Sequence, residues 1–346
     1  MKTRSSRKLF WWNGALIAVS ITVNSAAFAH HSGSIFDQAS VVAIEGKISD
    51  FNWSNPHVYI HVESISESGD IREWQIETDA TSILTRSGWS STSLSRGDQV
   101  VVRAHPDKNK QRAHGRLISV ATGGGALLTP RVSFDSRPSE SDTGAVATDM
   151  SGLWSTPLAT NQHLWQLRAT VRFLTAKGTA AQVAYDVTRD SPAGKCVAYP
   201  TPTFLGVPYL NEIIVAEDRI IIRGELFGSE RVIYTDGRDH PQDGDYTNQG
   251  HSIGYWEGDV LVVETVQLAE HRSALIDGAP MGTSRRVVEE FSLSDDGRRL
   301  LIDFIVEDPE YLAEPFAGSM EWDYAPQFNF IPINCDPGVS TKPWEE

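Results

Sequence analysis

Gly250-His251-Ser252-Ile253-Gly254-Tyr255-Trp256-Glu257-Gly258-Asp259-Val260-Leu261-Val262-Val263 joins a Gly-x-Ser-x-Gly, an aromatic pair, a tight Glu-Gly-Asp turn and an apolar, β-branched run. The turn residues tolerate positive φ or hydrogen-bond their own backbone, and the run after them reads as a strand. The same grammar recurs where Glu217-Asp218 leads into Arg219-Ile220-Ile221-Ile222-Arg223, and where Asp295-Asp296-Gly297 leads into Leu300 to Val306. Short strands at regular spacing predict an antiparallel meander, which must pair with another sheet or close on itself to protect its edges. We expect an antiparallel barrel over 151–346, closed around an internal cavity.

That domain opens with Gly152-Leu153-Trp154, a Gly-x-Trp that resembles the first strand of lipocalin-like barrels. Upstream, 126–150 is rich in Ser, Thr, Asp, Gly and Pro with little apolar periodicity and reads as a linker. From 30 to 125 the pattern is strands at Val41 to Phe51, His57 to Ser64, Ile71 to Thr78, Gln99 to Ala104 and Gly115 to Ala121. A short helix through Leu84 to Ser87, capped by Asp79 or Thr81, interrupts them after the third strand. Five strands in that order predict an OB-like barrel. The fold class is therefore all-β, with two barrels of unequal size.

Residues 1–29 read as a signal peptide: Lys2, Arg4, Arg7 and Lys8 precede an apolar run from Leu9 to Val23 and the small-residue site Ala27-Phe28-Ala29. The run is shorter than the roughly 20 residues of a spanning helix, so no integral membrane segment is expected after cleavage. Cleavage takes four basic and no acidic residues from a chain holding 30 Lys+Arg and 45 Asp+Glu, which leaves a net charge of −19 with His neutral. Such a surface repels phosphate backbones and excludes nucleic acid as a partner. Export to the periplasm or medium predicts a disulfide between Cys196 and Cys335, the only two cysteines. Oligomeric state is left open.

Two resemblances accompany this reading. His30-His31-Ser32, Phe36-Asp37, Trp53-Ser54-Asn55-Pro56-His57, Gly88-Trp89 and Gly97-Asp98-Gln99-Val100 together resemble a small exported bacterial domain of unknown function. Cys196, Asp236-Gly237-Arg238, His240-Pro241, Gly250 to Gly254, Trp256 to Asp259, Leu261 to Val263 and Glu307-Asp308-Pro309 resemble a second uncharacterised exported bacterial family. Neither resemblance implies a reaction.

Three sets of residues carry candidate chemistry. Gly-x-Ser-x-Gly invites a nucleophile elbow at Ser252, but an elbow needs a strand before it and a helix after it. Here a polar loop precedes and a strand follows, so Ser252 is expected to be a loop serine that fixes backbone. Around it Asp236, His240 and His251 offer acid and base groups for a cofactor-independent lyase, isomerase or hydrolase. Arg231, Tyr234, Tyr255, Trp256 and Glu257 offer ligand contacts, with at most one of the neighbouring Tyr255 and Trp256 facing a cavity. At the mature N-terminus, His30 with its free amine, His31, His57 and His61 form a candidate Cu or Zn site. His105 and His114, flanking Asp107 to Lys110, read as solvated surface.

The leading expectation is small-molecule binding in the larger barrel. The enzyme and the Cu/Zn-binding protein are the alternatives.

Overall fold

The structure, a computed structural model, describes residues 35–65, 69–130, 144–156, 170–273, 276 and 278–335. Residues 1–29, expected to be a signal peptide, His30, His31 and much of the expected linker lie outside them.

In the N-terminal domain β1 (Val42–Asn52), β2 (Tyr59–Ile65), β3 (Ile71–Glu77), β4 (Gln99–Pro106) and β5 (His114–Thr122) run in the order β3-β2-β1-β4-β5. A parallel pairing of β3 with β5 closes the ring, which is the OB arrangement expected. Register shifts leave one extra residue in each of two strands, Ser49 in β1 opposite β2 and Ile118 in β5 opposite Arg103/Ala104 of β4, and bend them as closure of so small a barrel requires. Alternate residues such as Ile44, Ile60, Val62, Ile76, Val100 and Val102 fill the interior. Helix α1 (Thr81–Arg86) lies between β3 and β4 and buries Leu84 against that core. Its cap differs from expectation: neither Asp79 nor Thr81 serves, and the orphan donor Thr81 N–H, with its hydroxyl, bonds Asn55 Oδ1 at 3.1 and 3.0 Å. A two-residue strand β6 (Leu127–Leu128) folds back on β5 after the Gly-rich turn.

After β7 (Gly152–Ser155) come α2 (Ala176–Val183), α3 (Val187–Asp190), β8 (Leu210–Val215), β9 (Arg219–Gly224), β10 (Glu230–Tyr234), β11 (His251–Glu257) and β12 (Val260–Val266). A small hairpin of β13 (His271–Arg272) and β14 (Pro280–Met281) precedes β15 (Arg286–Leu293), β16 (Arg299–Glu307) and β17 (Phe316–Tyr324). Nine strands form a closed barrel, β10-β11-β12-β15-β16-β17-β7-β8-β9. Every neighbouring pair is antiparallel except β10 and β11, because residues 235–250 carry the chain back along the wall before β11 starts.

The barrel interior is filled. Trp154, Ile213, Ile222, Ile233, Leu261, Val263, Val287, Phe291, Ile302, Phe304, Met320 and Trp322 belong to one buried cluster. The short helical turn Thr203–Gly206 adds Phe204 and Leu205, and Trp322 Nε1 donates to the Leu205 carbonyl at 2.9 Å. Free space is therefore displaced from the expected axial cavity to the end of the barrel.

The two barrels touch. Arg86 of α1 makes a bidentate pair with Glu225 at 2.9 and 3.0 Å, and Glu225 is fully buried, also accepting from Leu210 and Ile331 N–H. Ala80 packs with Val207, Leu226 and Ile333 around it. Cys196 and Cys335 are bridged, tying the segment that carries Ile333 to the loop that leads into Thr203–Gly206 at the end of the barrel. Among the described residues no helix is long and apolar enough to cross a membrane.

Candidate functional site

The Gly-x-Ser-x-Gly segment is strand, not loop: β11 begins at His251. Gly250 enters it at φ +65°, and a Cβ there would meet the Val266 carbonyl at 2.4 Å. Ser252 faces inward and is fully buried. Its hydroxyl accepts from Arg231 Nε at 3.0 Å and lies 2.9 Å from Thr265 Oγ1. Arg231, itself buried, also reaches Thr265 Oγ1 at 2.7 Å and clamps Glu289 with both terminal nitrogens. Ser252 thus belongs to a sealed polar layer inside the barrel, with no histidine bonded to it. Arg231 is occupied by that layer and has no free face for a ligand.

His251 points the other way, onto the outer wall. Its Nδ1 is 2.8 Å from Nδ1 of His240, delivered by the 235–250 excursion, and His240 Nε2 lies 3.5 Å from Glu264 Oε1. Glu264 sits on β12 and is paired with Arg286 of β15, which also bonds Glu307 at 3.2 Å. Asp236 does not join: it pairs with Arg238, whose guanidinium lies 3.7 Å over the Tyr234 ring, and that ring stacks on His251 at 5.2 Å. Burial lowers the pKa of both histidines, with Glu264 opposing it at His240 and the His240 charge reinforcing it at His251. The Nδ1–Nδ1 contact needs one donor and one acceptor; in the tautomer with the His240 proton on Nε2, toward Glu264, His251 Nδ1 donates and His251 Nε2 is the free base. Tyr255 and Trp256 are exposed beside the turn that follows Glu257, where the β11–β12 hairpin ends.

A third group lies where β16 ends and β15 and β17 begin. There a small cavity of about 30 Å³ free volume is lined by Ile276, Met281, Val306, Leu312 and Phe316, with Arg285 and Asp308 among them. Arg285 is 2% exposed, and none of its three nitrogens has a hydrogen-bond partner among the described residues. Asp308 Oδ2 accepts from Gly282 N–H at 2.7 Å while Oδ1 is unpartnered. Burial lowers Arg285 to about 10, offset by the Asp308 charge, and it stays cationic at neutral pH. Nearby His271 is buried with both ring nitrogens unpartnered, and burial together with the Arg285 charge lowers it to about 3.

The N-terminal histidines are placed less densely. His57 Nδ1 lies 3.1 Å from the Thr78 carbonyl and 3.7 Å from Glu77, in a cluster where Arg116 bonds Glu77, Thr78 and Asp79. His61 is four residues on, roughly 13 Å along an extended chain, too far to share an ion with His57. Among the described residues no three His, Cys, Asp or Glu side chains are grouped to hold a metal. His114 is a correction: it is buried against Phe36 at 4.8 Å and within 3.4 Å of the buried Asp107, because the segment at Phe36 covers the end of β5.

Sequence reasoning missed Arg285, His271, Asp308, Glu289 and Glu264 as site residues. One signal was present: Arg285 and Glu289 share the parity of Val287 and Phe291, which puts charges on the core face of β15. Residues 18–116 match the profile of a family described as a family of unknown function, DUF6152. The second barrel lies outside the matched residues. No curated protein matches the chain.

Proposed function

We propose that this chain is an exported carrier that binds one small, largely apolar molecule at the capped end of its second barrel. The observation that carries the reading is the cavity beside Arg285: apolar walls from Ile276, Met281, Leu312 and Phe316 converge with polar groups that have no hydrogen-bond partner among the described residues. Buried polar groups in folded proteins are almost always bonded, so a cluster of orphans beside free space is the mark of a ligand's place. The basic and apolar character of 1–29 and the Cys196–Cys335 bridge support export.

Thermal unfolding of the full mature chain with acetate, acetamide, ethylamine or ethanol tests the carrier. A ligand of the native state raises Tm with its concentration, and we expect at least one of the four to do so. The effect should vanish in Met281→Trp, which fills the cavity, or in Leu312→Phe where the Trp variant does not fold. Failure of all four to move Tm of the folded protein refutes the reading.

A second reading, a cofactor-independent enzyme, is favoured by the Glu264–His240–His251 chain, which leaves a positioned neutral base on the outer wall. Its acid–base partner is Glu264 in place of Asp236. Any hydrolase or isomerase activity found should fall by about 10²-fold or more in His251→Gln; unchanged turnover in that folded variant would exclude the role.

A further inference from the structure

Arg285 carries five N–H donors and is always protonated at neutral pH. The cavity it lines is mostly apolar, with Thr170 and Thr203 among the walls, and the Asp308 carboxylate acts on it through charge without a hydrogen bond. Leaving such a cation buried and unbonded costs several kcal/mol, yet the chain folds around it. Elsewhere in the same barrel Arg231 shows what the fold supplies when an arginine is structural: three protein acceptors within bonding distance. Among the described residues Arg285 has no such acceptor, and it lines free space.

We propose that Arg285 anchors a monoanion site, clamping through its guanidinium fork the carboxylate of a short-chain aliphatic monocarboxylic acid whose carbon end packs on Met281, Leu312 and Phe316. The inference rests on the capped end being the ligand site. A guanidinium matches two carboxylate oxygens in one plane, and desolvation strengthens each bond. Size follows from the volume: a water needs roughly 10–15 Å³ of such space, so the 30 Å³ present admits a group of about two waters, the bulk of acetate. Charge follows from Arg285 being the one cation among the described residues lining the space: it can pair one carboxylate, and a second anionic group would meet Asp308 instead of a partner. Dicarboxylates and phosphate are therefore disfavoured. His271 is neutral and adds no positive charge to attract them.

Calorimetric titration of the full mature chain with acetate, acetamide, ethanol and inorganic phosphate at constant ionic strength decides the class. Charge-assisted bonds to Arg285 should make acetate bind about tenfold or more tighter than acetamide, with phosphate silent. Arg285→Met, which removes an unpaired buried charge, should fold with an unchanged or raised ligand-free Tm and lose acetate binding; Arg285→Lys should retain it in weakened form. Acetamide or ethanol binding as tightly as acetate, and surviving Arg285→Met, would overturn the anion class while leaving the carrier reading intact. Binding of none of the probes would end both.

Discussion

The sealed layer of Arg231, Ser252, Thr265 and Glu289 makes a quantitative demand on stability. Glu289 and Arg231 are both fully buried, and their pairing is bidentate. Replacing Glu289 by Leu strands a guanidinium with only two hydroxyl acceptors, and replacing Arg231 by Met strands a buried carboxylate that has lost both guanidinium donors. Removing one partner of a buried pair costs roughly 3–5 kcal/mol, so each single variant should lose that much. The double variant Arg231→Met/Glu289→Leu strands nothing, because Ser252 and Thr265 still bond each other at 2.9 Å. It should lie within about 2 kcal/mol of the parent, giving a coupling energy above about 3 kcal/mol in the cycle. Urea unfolding followed by tryptophan emission reads the change, since Trp154 and Trp322 are fully buried in this barrel. The midpoint should move while the m-value holds. Single variants within 1 kcal/mol of the parent, or a double variant whose loss is the sum of the singles, would refute a layer held by its ion pair.

His271 ties stability to pH: its folded pKa of about 3 lies below the ordinary 6.5, so the unfolded chain binds the extra proton and stability falls as pH drops from 6.5 toward 3. At pH 5 the loss is about 2 kcal/mol relative to neutral pH, and His271→Leu should flatten that part of a Tm-against-pH curve; an unchanged acid limb would exclude the assignment. Arg86→Ala leaves the Glu225 carboxylate buried between the barrels, and urea titration should show a loss of roughly 3 kcal/mol, whereas a loss under 1 kcal/mol would mean water replaces the guanidinium. Reducing the Cys196–Cys335 bridge reopens a loop of 139 residues, and the chain-entropy account gives about 5 kcal/mol; equal Tm with and without reductant would contradict it. Gly254→Ala would push a Cβ to 2.8 Å from Ile233 Cγ2, for which overpacking of about 1–3 kcal/mol is expected, and a neutral effect on the urea midpoint would show that β10 yields.

The five N-terminal strands and the helix between them follow from local pattern, because the switch from period two to a capped helical turn happens within a dozen residues of Thr78. The second barrel followed from repeated turn chemistry, which is equally local. What escaped is long-range. Asn55 caps a helix twenty-six residues away, and no feature of its neighbours announces it. In Arg286-Val287-Val288-Glu289-Glu290-Phe291 two adjacent valines and two adjacent glutamates blur the alternation, so the parity of Glu289 with Val287 and Phe291 is a weak signal that pairing with β12 and β16 makes definite, turning Glu289 inward and Glu290 outward. Glu264 reached His240 for the same reason: its place beside the excursion depends on the parallel contact of β10 with β11. Asp236, near in sequence, was taken by Arg238 two residues on.

The Gly-x-Ser-x-Gly pattern now has a physical explanation that owes nothing to catalysis. Gly250 is needed for a left-handed entry pressed against the Val266 carbonyl, Ser252 for a hydroxyl that both Arg231 and Thr265 use, and Gly254 for the close approach of Ile233. Because side chains alternate across a strand, the same register that buries Ser252 turns His251 outward to meet His240. One strand therefore separates a structural polar layer from a surface acid–base pair. The comparison that matters for function is between the two buried arginines. Arg231 has its carboxylate four residues beyond Arg285 on the core face of β15, while Arg285 itself has none within bonding distance. A fold able to supply Glu289 to one arginine has left the other without a bonded acceptor among the described residues, beside a cavity, and that contrast is the ground on which the proposed carboxylate ligand stands.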